Sequence, residues 1–289
     1  MRPGRVSVIV STYNQPRALE RVLWGYAVQT HRDFELIVAD DGSRADTAEL
    51  VEAVRRDASL DLHHVWHADD GFRKTEILNR AILAAGGEYC IFTDGDCIPR
   101  EDFVATHVRL AAPRTFLSGG YLKLPAAVSE RVTVGDVVAG RVADPTWLRA
   151  HGWRPGRRAL RLLRTPTAAT ALDWLTPTGA TWNGHNASTW RDALLAVNGF
   201  DLDMRYGGED RALGERLVNL GYRGRQIRFR APCLHLDHAR PYMDAAGIRA
   251  NQAVRERIRR NRETRARLGI EELPPETARG CPGAPRGAG

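Results

Sequence analysis

Asp94-Gly95-Asp96 is a segment whose residue types and spacing suit a divalent metal ion. Carboxylate oxygens are hard ligands that Mg²⁺ and Mn²⁺ accept, and the oxygens of a bound diphosphate would complete the coordination shell. Gly95 would let the backbone approach that diphosphate closely. Asp201-Leu202-Asp203 has the same spacing in a different sequence context, so the spacing alone does not establish a metal site. The first copy directly follows the apolar stretch 89–93, which favours a binding role there.

Gly207-Gly208-Glu209-Asp210 places two carboxylates at the start of a predicted helix. Acidic residues near a helix N-terminus are often explained by the favourable helix dipole alone. The same dipole would keep a carboxylate ionised, which a general base for a sugar hydroxyl requires. Helix capping does not need two glycines in a row, whereas a close approach of the backbone to a ligand does. We therefore expect a proton acceptor in this segment.

Two histidines, His235 and His238, flank Asp237 later in the chain. A single histidine is usually structural, but two histidines beside an aspartate also suit a metal site. The spacing supports both interpretations equally and leaves open which histidine would be the ligand.

Asp40-Asp41-Gly42-Ser43 is typical of a turn followed by a helix cap. One aspartate would fill that role, which leaves the other free to accept hydrogen bonds from a nucleobase or a ribose. Arg73 and Lys74 precede another predicted helix. They are either solvated residues of the helix start or partners of nucleotide groups.

Short apolar runs alternate with segments of helical periodicity in the first hundred residues. This alternation predicts an α/β fold with a mostly parallel, Rossmann-like sheet flanked by helices. Ligands bind beyond the carboxyl ends of such strands, where Thr12-Tyr13-Asn14, Asp40-Asp41 and Asp94-Gly95-Asp96 would meet. The predicted strands are 6–11, 34–39, 62–66 and 89–93. Three helices are predicted: one begins at Pro16, one follows Ser43 and ends near Ala58, and one runs from Lys74 to Ala85.

The second half of the sequence is less regular. The predicted elements are a strand over 116–124, a loop-rich insertion over 125–175, a helix from Gly208 to Leu220, a strand over 225–229, a basic helix within 246–273 and a disordered tail over 274–289.

The charge of the 289-residue chain, +7 in total, is concentrated in two segments. Residues 149–164 and 249–267 each carry +6, so the remainder is acidic, which argues against a protein built around a nucleic-acid groove. Trp147, Trp153 and Leu160 interleave with the first set of arginines, a composition that suits an anionic membrane surface. Because no apolar run has the length of a membrane span or a signal peptide, we expect a cytoplasmic protein, peripheral at the inner face of the membrane.

Several ordered blocks, spanning roughly residues 5–240, resemble the inverting, nucleotide-sugar-dependent family 2 glycosyltransferases of the GT-A fold. The later half is similar to the carboxyl-terminal region shared with β-1,4-galactosyltransferases and chondroitin-polymerase-like enzymes. The matching blocks are Val6–Asn14, Phe34–Val38, Asp40–Ser43, Gly71–Lys74, Leu78–Ile82, Gly87–Tyr89 and Thr93–Pro99, and then Asn186, Val197–Asp201, Gly207–Asp210, Leu213 and Gly221–Tyr222.

The resemblance implies a role for each matching position. Asp210 would be the catalytic base, and Glu209 would contact the acceptor. Asp96, Asp94 and His235 would hold a divalent metal, Mn²⁺ or Mg²⁺. The nucleotide-binding residues would be Thr12, Tyr13, Asn14, Asp41, Arg73, Asp94 and Gly95.

The implied organisation is a nucleotide-sugar-binding half, residues 1–124, and an acceptor and catalytic-base half of smaller mixed structure, residues 125–245. The implied reaction moves a sugar from a nucleoside-diphosphate sugar, with UDP-sugars favoured, to a hydroxyl of a saccharide or lipid-linked acceptor. Ala212 and Tyr206 depart from the family pattern, which puts the identity of the acceptor in doubt more than the reaction type.

A nucleotidyltransferase that makes nucleotide sugars is the alternative, since it shares a parallel sheet and an acidic metal site. Such an enzyme would bind a triphosphate with a glycine-rich, basic loop after the first strand. Residues 11–16, Ser-Thr-Tyr-Asn-Gln-Pro, contain neither glycine nor a basic residue. Sugar transfer is therefore favoured.

Overall fold

The computed structural model describes residues 2–238 and 245–273, and within them ten strands form two sheets. The larger sheet has the order β3-β2-β1-β4-β8-β6-β9, and the smaller has the order β5-β10-β7. The strands are β1 (Val6–Thr12), β2 (Phe34–Asp40), β3 (Leu62–Trp66), β4 (Tyr89–Asp94), β5 (Cys97–Pro99), β6 (Thr115–Ser118), β7 (Gly120–Lys123), β8 (Ala187–Trp190), β9 (Arg223–Gln226) and β10 (Pro232–His235).

The larger sheet is mostly parallel, as the sequence predicted. β1 pairs in parallel with β2 and β4, and β2 pairs in parallel with β3. β8 is the exception, because it runs antiparallel to both β4 and β6. Every residue of β1 is buried, which explains its nearly continuous apolar sequence.

Helices cover both faces of the larger sheet. Alternate residues of β1 point to opposite faces, so Val8 packs with Leu19 of α1 and Ile9 packs with Ile77 of α3. Within the described residues, no helix is both long and apolar enough to cross a bilayer. The helices are α1 (Pro16–Ala27), α2 (Ala45–Ala58), α3 (Lys74–Ala84), α4 (Phe103–Leu110), α5 (Ala126–Arg131), α6 (Val134–Val138), α7 (Pro145–Ala150), α8 (Pro166–Leu175), α9 (Arg191–Ala196), α10 (Glu209–Asn219) and α11 (Ala245–Asn261), with 3₁₀ helices at Arg141–Ala143 and Arg157–Leu162.

Residues 125–175 are not the loop-rich insertion that was expected. They form α5 to α8 and both 3₁₀ helices. Pro145 and Pro166 occupy the first turn of α7 and α8, where a missing N–H leaves no hydrogen bond unmade. Thr133 and Asp136 form a capping box at the start of α6. The prediction was wrong because the prolines of this segment begin helices instead of breaking them.

The strand predicted over 116–124 is in fact two strands, β6 and β7, which belong to different sheets. They separate at Gly119, where a Cβ atom would lie 1.9 Å from Asn186 Oδ1. A residue with a side chain at position 119 would clash with Asn186, so this close approach requires glycine. The strand predicted over 225–229 is β9, which starts and ends earlier, at the edge of the larger sheet.

The helix predicted within 246–273 is α11, and the prediction was wrong beyond Asn261. Arg262 has a φ of +52°, a left-handed conformation that ends the helix. The chain then turns back onto the end of α9. Residues 274–289, expected to be a disordered tail, lie outside the described residues.

The buried Asn186 side chain joins the two sheets. Its Nδ2 donates to the carbonyl oxygen of Gly120 at 2.9 Å and to that of Ala231 at 2.7 Å, next to β10. Its Oδ1 is 3.1 Å from His107 Nε2 of α4. Because an amide oxygen only accepts, His107 Nε2 carries the hydrogen.

His107 is consequently held as a neutral ring. Its Nδ1 accepts from Ser188 Oγ at 2.7 Å, and the Tyr89 hydroxyl donates to the same oxygen at 2.8 Å. Burial lowers the pKa of His107 to about 3. In the neutral form both ring nitrogens are paired, and a proton added to Nδ1 would break the hydrogen bond that Ser188 Oγ donates to it.

The free energy of unfolding should fall as the pH drops below about 6.5. In the unfolded chain His107 binds a proton at that pH, whereas in the folded protein it stays neutral down to about pH 3. The expected contribution is about 1.4 kcal/mol for each pH unit in this window. His107→Gln should flatten this dependence, and the surface variant His31→Gln should not. Urea unfolding at pH 7, 6 and 5 measures it, and an unchanged slope in His107→Gln would contradict the assignment.

Candidate active site

A cavity of about 500 Å³ lies at the carboxyl ends of β1 and β4, beside the start of α10 and the end of β10. Asp96 and Asp210 both line it, although they are far apart in sequence. Residues from widely separated parts of the chain thus face one space. The residues singled out from the sequence that line the cavity are Thr12, Tyr13, Asp41, Lys74, Asp94, Gly95, Asp96, Gly207, Gly208, Glu209, Asp210, His235 and His238.

Asn14 and Arg73, also predicted to bind the nucleotide, do not line this cavity. Asn14 holds a loop instead: its Oδ1 accepts from the backbone N–H of Arg44 at 3.0 Å. The Arg73 guanidinium pairs with Asp70 and Glu76. These two side chains therefore support the loops around the cavity.

Lys74, the neighbour of Arg73, is the basic residue that faces the cavity. Its Nζ lies 2.7 Å from Asp94 Oδ1, which also accepts from Ser11 Oγ at 2.7 Å. Burial alone would raise the pKa of Asp94, but the Lys74 ammonium outweighs it and holds that pKa well below its usual range. Burial would lower the pKa of Lys74, but the charges of Asp94 and Glu209 raise it above its usual value. Both groups are charged at neutral pH.

Asp210 lies on the first turn of α10, where backbone N–H groups hold its carboxylate. Oδ2 accepts from Gly184 at 3.1 Å, and Oδ1 accepts from Arg211 at 2.6 Å. Burial raises the pKa of Asp210 above its usual value. A raised pKa strengthens the ionised carboxylate as a base.

Glu209 is held differently from its neighbour. Its Oε2 accepts from the backbone N–H of Gly207 at 2.8 Å. Burial, and next the charge of Asp210, raise the pKa of Glu209. Glu209 therefore braces the loop before α10 as well as facing the cavity.

The paired glycines before these acids adopt conformations that favour glycine. Gly207 and Gly208 have φ values of +106° and +98°. A Cβ at Gly207 would lie 2.9 Å from Ile248 of α11. Asn251 of α11 donates from Nδ2 to the carbonyl oxygens of Arg205 at 2.7 Å and Gly207 at 3.0 Å. The glycines thus let α11 pack against the loop that presents Asp210.

Asp96, His235 and His238 form a cluster that could hold a metal ion, with one ligand atom from each within 4.8 Å of the others. Asp96 Oδ2 is 3.6 Å from His235 Nε2 and 2.7 Å from His238 Nε2. His235 Nδ1 donates to the carbonyl oxygen of Leu236 at 2.6 Å, which leaves the lone pair of Nε2 facing Asp96. Both histidines that the sequence could not separate lie at this site. A set of one carboxylate and two imidazoles fits Mn²⁺ better than Mg²⁺, which prefers oxygen ligands.

The end of the cavity near Asp41 has polar neighbours that the sequence analysis missed. His67 Nε2 lies 2.8 Å from Asp41 Oδ1, and the backbone N–H of Arg73 donates to Oδ2 at 3.2 Å. Burial raises the pKa of Asp41, and the His67 contact opposes this. The Tyr13 hydroxyl donates to Asp69 at 3.0 Å and fixes the ring at the rim.

His185 and Tyr121 also line the cavity and were not singled out in the sequence. Their ring centroids are 4.7 Å apart, and Tyr121 lies 5.3 Å from His235. Burial lowers the pKa of His185 to about 4, so a neutral ring faces the cavity at pH 7. No local pattern marks either residue, since both reach the site only through the pairing of β7, β8 and β10 with other strands.

Part of the chain is similar to a known protein family. Residues 7–116 match the family model described as glycosyl transferase family 2. Chondroitin synthase of Escherichia coli is 26% identical over 239 residues, which cover 75% of this chain and 32% of the synthase. These findings support a family 2 glycosyltransferase.

Two solved structures extend the likeness to most of the chain and to its fold. The mannosyltransferase PcManGT from Pyrobaculum calidifontis, in complex with GDP-Man and Mn²⁺, is 25% identical with a TM-score of 0.56, covering 84% of this chain and 59% of that one. S. aureus TarS 1-349 in complex with UDP-GlcNAc is 17% identical with a TM-score of 0.60, covering 93% and 69%. The α/β fold of the GT-A type that the sequence predicted is confirmed. The chain spans about a third of the length of the chondroitin synthase.

Mn²⁺ should raise the melting temperature of the protein, because an ion bound only by the folded state stabilises it, by about 2.7 kcal/mol at a hundredfold excess over Kd. The shift should be lost in Asp96→Asn and reduced in His235→Ala. His31→Ala is the matched control, because within the described residues His31 belongs to no group of side chains that could hold a metal ion. Thermal melts with and without Mn²⁺ decide this, and an equal shift in Asp96→Asn would remove Asp96 as a ligand.

Proposed function

We propose that the protein is a metal-dependent, inverting glycosyltransferase that moves a sugar from a nucleoside-diphosphate sugar to a hydroxyl of a saccharide or lipid-linked acceptor. The observation that carries the proposal is that Asp96, Lys74 and Asp210 line one cavity. A site for a diphosphate leaving group and a proton acceptor are thereby brought to the same edge of one sheet, where ligands of α/β proteins bind.

The reaction would be a single displacement at the anomeric carbon. Asp210 would take the proton of the acceptor hydroxyl as its oxygen bonds to that carbon. The bond from the carbon to the diphosphate oxygen would break on the opposite face, so the configuration would invert. The two backbone N–H groups on Asp210 would keep its carboxylate oriented toward the acceptor.

The leaving diphosphate would be stabilised from one side of the cavity. A divalent cation held by Asp96, His235 and His238 would neutralise negative charge on the diphosphate oxygens. Lys74 would contribute a positive charge nearby, fixed in position by its ion pair with Asp94.

The nucleotide would lie along the loop that follows β1. Tyr13 would pack against the base, and Asp41 would accept a hydrogen bond from a base N–H or a ribose hydroxyl. Both line the cavity beside Thr12. One structural neighbour was solved with GDP-Man and another with UDP-GlcNAc, so the donor base is a question for experiment, with UDP-sugars favoured.

The activity should appear as release of free nucleoside diphosphate from one member of a panel of UDP- and GDP-sugars in the presence of Mn²⁺. A product linked with inverted anomeric configuration, read by proton NMR, is expected. Release of pyrophosphate from a nucleoside triphosphate and a sugar phosphate would instead establish the nucleotidyltransferase alternative, and retained configuration would overturn the single displacement.

Asp210→Asn should lower kcat roughly 10²- to 10⁴-fold while the Kd of the donor changes little, because the amide keeps the shape of the side chain but accepts no proton. Asp70→Asn, at a side chain that is 79% exposed, serves as the control and should keep normal turnover. Steady-state turnover and donor titration measure the two effects. Near-normal turnover in Asp210→Asn would exclude Asp210 as the base.

A further inference from the structure

A second concave surface lies away from the active site, between α7 and the 3₁₀ helix Arg157–Leu162. It encloses about 450 Å³. Leu160, Leu162 and Leu163 supply apolar lining, and the exposed Arg149 and Arg157 belong to the same groove. The groove thus combines an apolar wall with two cations, a combination that suits a ligand with an apolar body and an anionic group.

The arginines around this groove are not neutralised by the protein. Within the described residues, the five arginines that precede Arg164 in this segment form no ion pair, while Arg164 pairs with Glu101. The five are Arg149, Arg154, Arg157, Arg158 and Arg161.

The other basic segment, residues 249–267, has the same net charge but a different arrangement. Arg255 and Arg259 pair with Glu215 of α10, and further arginines there pair with Glu263 and Glu271. Ion pairs within the protein therefore neutralise much of the positive charge of that segment. Of the two basic segments, as far as the structure describes them, the groove segment leaves more of its charge available to a partner.

The apolar residues of the segment divide between the core and the surface. Trp153 is buried and so belongs to the core, whereas Leu160 is 44% exposed in the groove. Trp174 and Leu175, at the end of α8, are 89% and 72% exposed. Only some of the interleaved residues expected at a membrane surface are therefore available there.

We propose that this groove docks the protein on a bilayer by binding an anionic phospholipid. The lipid phosphate lies between Arg149 and Arg157, and the first part of its acyl chains packs against Leu160, Leu162 and Leu163. Guanidinium groups bind phosphate oxygens strongly through paired hydrogen bonds. The apolar wall disfavours a nucleic acid or a polar saccharide, neither of which has a group to bury there.

Docking in this orientation brings the active site close to the lipid surface. The Arg161 guanidinium donates to the backbone carbonyl oxygen of Tyr121, and Tyr121 lines the active-site cavity. The groove segment and the cavity wall are thus in direct contact. The inference goes beyond sugar transfer itself, since a docked lipid and a soluble donor occupy different sites.

The test is co-sedimentation of the full chain with vesicles of pure phosphatidylcholine and with vesicles of phosphatidylcholine mixed with anionic phosphatidylglycerol. Binding is expected only to the anionic vesicles and should weaken with added salt. Arg149→Glu with Arg157→Glu should weaken it about 25-fold or more, since each basic residue contributes about fivefold near such a surface. Arg56→Glu with Arg109→Glu changes the net charge equally on exposed parts of α2 and α4, and should leave binding nearly unchanged.

Leu160→Ser tests the apolar wall and should weaken binding about threefold or more without altering charge. Equal binding to neutral vesicles, equal loss in both arginine pairs, or no effect of Leu160→Ser would each overturn the proposal. Retention on an anionic polysaccharide but not on vesicles would also overturn it. Donor turnover in solution should be the same in every variant, so a failure of docking is distinguishable from a failure of the proposed reaction.

Discussion

One ammonium group compensates the negative charge around the active-site cavity. Lys74 contacts Asp94 directly, and its charge also acts on Glu209 and Asp210. Burial favours the protonated form of a carboxylate, and a nearby cation opposes this effect. The start of α3 at Lys74 therefore influences the charge state of residues that β4 and α10 supply, although these elements are far apart along the chain.

The first half of the fold and much of the site followed from the sequence, because hydrophobic period and parallel topology fix where strand ends meet. The sequence did not show whether Arg73 or Lys74 faces the cavity. Consecutive residues on a helix point about 100° apart, and only the way α3 packs against the sheet decides which of them faces inward. β5 and β10 are short and are stabilised by pairing with strands distant in sequence, so no local sequence pattern predicted them. His185 and Tyr121 stayed hidden for the same reason.

The two arginine-rich segments show how little net charge alone reveals. Both carry +6, yet one is folded against the acids of α10 and of the turns after α11, and the other faces outward around an apolar groove. The two segments differ in how many carboxylates lie close to them on neighbouring elements. Tertiary structure determines these neighbours, and the number of charges in a stretch of sequence does not reveal them.

The hydrogen bond between Asn251 and the loop at Gly207 links completion of the cavity to the order of synthesis. A ribosome delivers the loop first and α11 later, so an emerging polypeptide carries Asp210 before the helix that packs against its loop has been made. A polypeptide that ends before α11 therefore lacks the contacts that hold this loop in place beside the cavity.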